Sequence, residues 1–313
     1  MTLSTTTRLR ACRAIAFCLI AFLAALPARA QAPEANSQAA REAEVDAAFA
    51  AGVKAGTPGP AKIALLDQAS LNVPADYLFV PRQEGIRILR AFGNKVAGDA
   101  FQGLVVGMKP SDSWIVVIRY IKEGYIKDDE AKDWNADELL ANLKEGNDEQ
   151  NRDRVARGFP EVEIVGWVEK PAYDATTHRL VWSLASRDKG EPATATKGIN
   201  YNTYALGRDG YFSLNLLTNT ERIGADKAVA RTLLAALAYN PGKTYEDFNA
   251  STDHIAAYGI AALVGGIAAK KLGLLALAGA FALKFAKLIA VGVAAVTAGF
   301  WKLIGRKRTE PQS

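Results

Sequence analysis

The clearest structural signal in this chain comes from residues 198–219, GINYNTYALGRDGYFSLNLLTN. Apolar residues alternate with polar ones in both halves, which is typical of strands that have two different faces. The Asp-Gly pair at Asp209 and Gly210 favours a tight primed turn between the halves. These residues therefore predict a β-hairpin, and an antiparallel sheet built around it is the basis of the expected fold.

The turn also predicts which side chains share a face of the hairpin. A two-residue loop, at Arg208–Asp209 or at Asp209–Gly210, pairs even-numbered residues of the first strand with odd-numbered residues of the second. One face is then apolar and is predicted to contact the core: Ile199, Tyr201, Thr203, Ala205, Phe212, Leu214 and Leu216. The other face carries Asn200, Asn202, Tyr204, Tyr211, Ser213 and Asn215.

Asn200, Asn202 and Asn215 share this face of the hairpin. Their presence needs a physical reason, because Asn is disfavoured in strands. Two interpretations stay open. The face is either the solvated side of an antiparallel sheet or a polar binding surface. In the second case the candidate binding residues are Asn200, Asn202, Tyr204, Ser213 and Asn215.

Strand patterns on either side of the hairpin extend the predicted sheet. Residues 114–118 form a continuous apolar run, which favours a strand covered on both faces at the centre of the core. Residues 161–169 predict a strand that pairs with residues 179–187 across a turn. Further short strands are predicted at residues 63–66, 70–73, 77–80, 104–108 and, continuing the apolar run, 114–121.

Helical spacing of apolar residues predicts helices that cover this sheet. They are expected at residues 84–92, from Asn135 to about Glu145, and at residues 227–239, with a second exposed helical piece at residues 148–156. The predicted fold class is α+β, a mostly antiparallel sheet with two or three covering helices, plus a C-terminal transmembrane helical segment.

Acidic residues are concentrated between Lys127 and Glu138. They lack the central Gly and the alternating ligands of an EF-hand calcium loop, so no metal site is predicted. Asn135 followed by Glu138 favours a helix N-cap with its capping box. Asp174 and His178 are interpreted as residues of a hairpin turn, since spacing alone does not establish a catalytic triad.

The N-terminus has the pattern of a secretory signal peptide. Arg8, Arg10 and Arg13 precede an apolar run of 13 residues, 14–26, which is too short for a membrane span. Ala28-Arg29-Ala30 then predicts cleavage after Ala30; the alternative is an uncleaved N-terminal anchor. Both cysteines lie inside this leader, so the mature chain is predicted to have no disulfide and no thiolate chemistry.

The C-terminal block, residues 255–304, contains no acidic residue and is mostly Ala, Gly, Leu, Ile, Val and Phe. A membrane helix needs about 20 mostly apolar residues, and Phe285–Ile304 meets that length if Lys287 and Lys302 lie near its ends. The basic run 306–308 predicts a cytoplasmic C-terminus. One crossing is predicted; a two-span hairpin and a buried hairpin in a soluble protein are the alternatives.

The net charge of the whole chain does not describe its central part. The chain carries +5, while residues 1–30 carry +4 and residues 255–313 carry +7, so residues 31–254 carry −6. The predicted exported domain is therefore acidic, which argues against nucleic-acid binding because that needs a basic face.

Five segments follow from these patterns. They are a signal peptide (1–30), a linker (31–60), an exported α+β domain (61–253), a membrane anchor (254–305) and a basic cytoplasmic tail (306–313). The predicted location is the cytoplasmic (inner) membrane, with the domain facing the periplasm.

Several local motifs resemble a family of uncharacterised bacterial membrane-anchored proteins that carry a domain of unknown function. The resemblance covers residues 61–253 and is supported by residues 112–114, 124–130, 133–140, 166–167, 178–182, 200–203, 213–216 and 240–243. The lysine-punctuated apolar tail that ends at Trp301 and Lys302 is similar too. The resemblance implies an envelope protein, and it implies no catalytic residue and no cofactor.

Three functional hypotheses follow. The first is a non-enzymatic binding or interaction module on the extracytoplasmic side of the membrane, with an envelope protein as a possible partner. The second is an extracytoplasmic enzyme that uses carboxylates such as Asp128, Asp129 and Asp133. The third is a membrane-embedded oligomeric accessory protein, since small residues in the tail permit close helix association and self-association.

Overall fold

The computed structural model of this protein describes residues 32–265, except positions 93, 95, 97, 110 and 157. The predicted signal peptide, the predicted basic tail and most of the predicted membrane anchor, including residues 285–304, lie outside the described residues. Among the described residues, no helix is both long enough and apolar enough to cross a membrane.

The described residues form an α+β fold, as the sequence predicts. The helices are α1 (Ala32–Ala55), α2 (Arg82–Ala91), α3 (Ala136–Ala156) and α4 (Ile223–Ala236). The first strands are β1 (Thr57–Pro58), β2 (Ala61–Leu65), β3 (Ala69–Val73), β4 (Tyr77–Pro81), β5 (Phe101–Gly107) and β6 (Ile115–Ile121). The later strands are β7 (Val162–Asp174), β8 (Arg179–Asp188), β9 (Gly198–Gly207), β10 (Gly210–Asn219) and β11 (Leu237–Tyr239).

Two antiparallel sheets organise the molecule. The large sheet has eight strands in the order β1-β4-β5-β6-β10-β9-β8-β7, and the small sheet has the order β11-β3-β2. The predicted hairpin lies near the middle of the large sheet as β9 and β10, with Arg208 and Asp209 as its two-residue loop. Tyr211 is opposite Leu206, so the predicted pairing of odd with even residues is confirmed.

The first face of the large sheet is apolar and well covered in the middle of the sheet. Tyr201, Phe212, Leu214 and Leu216 point from the hairpin into this core and have no exposed surface. The small sheet and α4 cover them, through side chains such as Leu71 and Leu233. The predicted core face of the hairpin is therefore confirmed, and so is the central position of β6, which contributes Val116 and Ile118.

The second face is covered by two separate groups of elements. At the β4–β5 end, α1 and α2 pack over a cluster that includes Leu78, Phe101 and Leu104. At the β8–β9 end, the chain around residues 125–143 and 245–264 packs over Leu180, Trp182 and Leu206. The two covers approach the sheet from opposite ends, and the strands between them carry polar side chains on this face.

Two predicted helices differ from the observed ones. The helix after Asn135 is one continuous helix, α3, rather than two pieces, because Asn147 and Asn151 fix its second half by donating to the Val162 carbonyl of β7 at 2.6 and 2.8 Å. The predicted helix 227–239 begins earlier and ends at Ala236, since residues 237–239 pair with β3 as a strand. The predicted N-cap is confirmed: Asn135 Oδ1 accepts from the backbone N–H of Asp137 at 2.9 Å.

The first residues of the apolar C-terminal block pack on the domain. Ile255 pairs with Tyr125 in a short parallel bridge, and the backbone N–H of Ile260 donates to the Lys127 carbonyl at 2.9 Å. Ala256, Tyr258, Ile260 and Val264 are buried in the cluster at the β8–β9 end. We call residues 245–264 the strap, because they close one end of the second face. The strap includes the first ten residues of the block.

Candidate binding site

The sheet brings the candidate residues of the hairpin together in adjacent rows. Asn202 of β9 is opposite Asn215 of β10, and Tyr204 is opposite Ser213. Asn200 lies one step further along the same face, opposite Leu217. The five candidate residues therefore do share one face, as the hairpin register predicts.

This face is not the solvated side of the sheet. Asn202, Ser213 and Tyr204 are 6%, 7% and 9% exposed, and Asn200 and Asn215 are half-buried. The solvated-side interpretation is therefore wrong for these three buried residues. Its error has a physical cause: the apolar clusters on either side of these residues, one of which includes Tyr204, are completed by segments that are distant in sequence from the hairpin.

Arg119 extends this group of polar residues and was not among the predicted candidates. It lies on β6 directly opposite Ser213, so its side chain is on the same face. It is half-buried, and among the described residues its side chain has no hydrogen bond and no carboxylate partner. Burial lowers the pKa of Arg119, because removing a guanidinium from water disfavours its charged form.

Two neighbouring polar atoms are also unsatisfied among the described residues. Asn215 Oδ1 is buried without a hydrogen-bond donor. Trp182 Nε1, on β8 opposite Asn202, approaches the Tyr204 hydroxyl but forms no hydrogen bond of regular geometry. Asn202 itself has only a long bond, 3.4 Å from its Nδ2 to the Asn200 carbonyl.

We name this group the polar strip and define it as Arg119, Asn200, Asn202, Tyr204, Ser213 and Asn215. It crosses β6, β10 and β9 between the two apolar clusters of the second face. The strip contains one cation and no acid, and most of its polar hydrogens are available as donors. Its side chains can therefore donate hydrogen bonds to a polar molecule.

The acidic residues proposed for an enzyme do not converge. Asp129 and Asp133 are exposed, on a short 3-10 helix and just after it. Asp128 is half-buried and accepts a hydrogen bond of 2.7 Å from the Tyr173 hydroxyl. In the part of the chain that the structure describes, no three His, Cys, Asp or Glu side chains are arranged as a metal site.

Asp128 belongs instead to a cluster around His178. The Tyr173 oxygen is 2.9 Å from His178 Nδ1, and His178 Nε2 is 3.3 Å from Glu246 Oε1. The His178 ring stacks on Tyr245 with 3.9 Å between centroids. Burial, together with the Asp128 carboxylate, raises the pKa of Tyr173 far above its usual value, so this phenol stays a neutral donor.

Asp174 takes no part in this cluster. Its carboxylate accepts from the Thr176 backbone N–H and from the Thr177 hydroxyl, both at 2.8 Å, and so closes the β7–β8 turn. The interpretation of Asp174 as a turn residue is confirmed. The same interpretation of His178 is incomplete, because His178 also contacts Asp128 and Glu246, which are 50 and 68 positions away.

A cleft of about 380 Å³ lies beside His178. The residues that line it include Thr177, Arg179, Glu246, Leu237 and Tyr239. One nitrogen of His178 is held by Tyr173, and the other is near the cleft and the exposed Glu246. A histidine held in this way can exchange a proton at Nε2.

Comparison with known proteins gives a family match and two structural likenesses. A family model described as "Protein of unknown function (DUF2167)" matches residues 57–297, which include every strand described here and part of the apolar C-terminal block. No curated protein sequence matches the chain.

Two solved structures are similar to parts of this fold. One is the solution structure of cyanobacterial PsbP (CyanoP) from Synechocystis sp. PCC 6803, with 12% identity and a TM-score of 0.34, covering 56% of this chain and 88% of that chain. The other is a point mutant of the protein Mog1, with 10% identity and a TM-score of 0.31, covering 57% of this chain and 94% of that chain. At such TM-scores these likenesses carry no weight for function.

Proposed function

The chain belongs to the DUF2167 family of proteins of unknown function, and on that premise we propose that it is a membrane-anchored envelope protein whose exported domain binds a polar ligand. The proposal places the domain on the periplasmic side of the cytoplasmic membrane. It assigns the domain a non-enzymatic binding role.

The observation that supports binding is the unsatisfied state of the polar strip. A buried polar group without a partner destabilises a fold by about 1–3 kcal/mol, and more if it is charged. Among the described residues, Asn215 Oδ1 is such a group, and the half-buried Arg119 on the same face has no hydrogen-bond partner, beside the buried Asn202 and Ser213. A ligand that pairs with them removes this penalty in the bound state, so the strip is better suited to binding than to stability.

Support for the membrane location comes from the sequence and from the strap. The N-terminal pattern predicts export, and the apolar block predicts an anchor. The strap runs from the domain into that block, and it is attached to the domain by a bidentate pair in which Arg208 donates to Asp253 at 2.7 and 2.9 Å. This attachment would keep the domain close to the membrane.

Fusions at the C-terminus test the location. We expect a fluorescent protein fused after Ser313 to fluoresce and alkaline phosphatase at the same position to be inactive, because the tail is proposed to be cytoplasmic. Fusions placed within residues 31–60 should show the reverse. Full-length protein in the soluble cytosolic fraction with residues 1–30 still attached would contradict the proposal.

Retention of a ligand tests the binding role. Full-length protein is extracted in mild detergent, dialysed against a small-molecule extract of the cell envelope, and analysed by native mass spectrometry. We expect wild type to retain a molecule that the double variant Asn202→Ala/Asn215→Ala loses. Asn72→Ala is the matched control, because Asn72 is an exposed strand residue of the small sheet.

Two results would contradict a binding role for the strip. The first is that the wild-type protein retains nothing. The second is that the double variant, shown to be folded by circular dichroism, retains the same molecule as Asn72→Ala does.

The His178 cluster favours a second candidate function, an extracytoplasmic enzyme in which His178 moves a proton beside the cleft. The supporting observation is the chain of contacts from Asp128 through Tyr173 to His178.

A panel of ester and phosphoester substrates tests this second function: turnover should be lost in His178→Gln and kept in His254→Gln. His254 is exposed and is the other of the two histidines, which makes it a matched control. Equal rates in both variants would exclude the role for His178.

A further inference from the structure

Arg119 differs from three other arginines that are half-buried in this fold and form ion pairs. Arg187 pairs with Glu163, Arg208 with Asp253, and Arg222 with Asp226 at 3.0 Å. Each of their guanidinium groups is partly removed from water and forms an ion pair with a carboxylate. Arg119 lies in the middle of the large sheet and is half-buried. Among the described residues it has no carboxylate partner.

The pKa shifts follow the same division. The carboxylate of Asp253 raises the pKa of Arg208. Burial lowers the pKa of Arg119, with no acid to offset it. An uncompensated half-buried cation is unfavourable, and it would be compensated by an anion from outside the described residues.

The groups around Arg119 fit an oxyanion. Ser213 is directly across from it on β10, and Tyr204 follows on β9. These residues supply hydroxyl donors, and Asn202 of the next row supplies an amide donor. Carboxylate and phosphate groups accept several hydrogen bonds at once, and a guanidinium binds them through two parallel N–H groups.

The charge of the strip excludes other ligand classes. A cationic ligand would be repelled by Arg119, and no acid of the strip would offset that repulsion. A purely apolar ligand would leave the buried Asn and Ser groups unpaired. The free Asn215 Oδ1 adds one requirement, since it needs a donor such as a hydroxyl on the same ligand.

We propose that the polar strip binds an oxyanion, a carboxylate or phosphate group, through Arg119, with Ser213 and Asn202 as further donors. This inference rests on the proposed function and names the chemistry of its ligand. A soluble phosphate ester and a phospholipid headgroup share that chemistry, so the experiment includes both sources.

Thermal unfolding of the full-length protein in neutral detergent measures the effect. Inorganic phosphate at roughly ten times its Kd should raise Tm by about 3 °C in wild type, relative to sodium chloride of the same ionic strength. The rise should be absent in Arg119→Gln and retained in Arg90→Gln. Arg90 is an exposed arginine of α2, so its loss changes the net charge equally.

A second variant separates binding from structure. Without phosphate, Arg119→Met should have a Tm equal to or above that of wild type, because it removes a half-buried charge that has no carboxylate partner among the described residues. A structural arginine would give a lower Tm instead. If Arg119→Gln does not fold, a change in wild-type tryptophan fluorescence with phosphate, and not with chloride, still supports the inference because Trp182 borders the strip.

The ligand source is distinguished by comparing glycerol 3-phosphate with phosphatidylglycerol added to the micelles. A Tm rise with the first supports a soluble ligand, and a rise only with the second supports a lipid headgroup. An equal rise in Arg119→Gln and wild type, or no rise with any of these anions, would overturn the inference. A retained ligand that is neutral would overturn it as well, while the binding role of the strip would stand.

Discussion

The two faces of the large sheet are covered to different degrees. The first face contacts α4 and the small sheet, and its hairpin residues Tyr201, Phe212, Leu214 and Leu216 are fully buried among apolar neighbours. The second face has two covers, one from α1 and α2 and one from the strap and residues 125–143. The polar strip lies between them.

Under the proposed function, one face of the hairpin stabilises the fold and the other face binds a ligand. Adjacent residues of β9 and β10 point alternately to a complete core and to a face with unsatisfied polar groups. Side chains of the first face should therefore contribute strongly to folding. Side chains of the strip should contribute little, or should reduce stability until a ligand is bound.

The largest expected effect comes from the first face. Leu214→Ala should reduce the free energy of unfolding by about 2–5 kcal/mol, because it leaves a cavity in a fully buried core. Urea denaturation measures the change. Val168→Ala on β7 is the control, since Val168 is exposed and its truncation should change stability by less than about 0.5 kcal/mol. A loss below about 1 kcal/mol for Leu214→Ala would mean that the first face is not a tight core.

A pair of substitutions on the two faces of the hairpin compares them directly. Thr203→Val on the first face removes a buried hydrogen bond of 2.9 Å to the Leu214 carbonyl and should reduce stability by about 1 kcal/mol. Asn215→Leu on the second face removes an unsatisfied oxygen and should be neutral or stabilising by up to about 1 kcal/mol. Urea midpoints of the two variants test this, and equal losses would show that the faces do not differ.

The smallest expected effect concerns the strap and depends on pH. Arg208 holds the pKa of Asp253 below its usual range. The stabilisation from this pair is therefore complete above the ordinary Asp pKa of about 4 and is lost as the pH falls through the lower value of the folded state. Asp253→Asn should unfold at a lower urea concentration than wild type at pH 7, and the gap should narrow towards about pH 2. A gap that is constant with pH would contradict the ionic origin.

The sequence predicts the hairpin well because local signals determine it. Asp209 and Gly210 restrict the turn, and the alternation around it assigns Phe212 and Leu214 to the core face. The short strands β2, β3 and β4 are also predicted, because proline and aspartate interrupt the apolar segments there.

Burial of the polar strip could not be predicted, because its covers come from distant segments. Asn202 and Ser213 are typical of a solvated strand face until α1 and α2 are packed on one side of them and the strap and residues 125–143 on the other. Arg119 interrupts the continuous apolar run of β6, and this charge in a doubly covered strand was the signal that was missed. His178 gave no such signal, since its contacts to Asp128 and Glu246 depend on three loops meeting.

The strap has a practical consequence for work on the isolated domain. Tyr258, Ile260 and Val264 follow the predicted domain boundary at Asp253, yet they fill the apolar cluster over β8 and β9. A protein truncated at Asp253 would lack the part of the strap that completes this cluster, and it would therefore expose apolar surface and tend to aggregate. Truncation after Gly265 keeps that cluster intact, and this is where a soluble fragment for crystallisation should end.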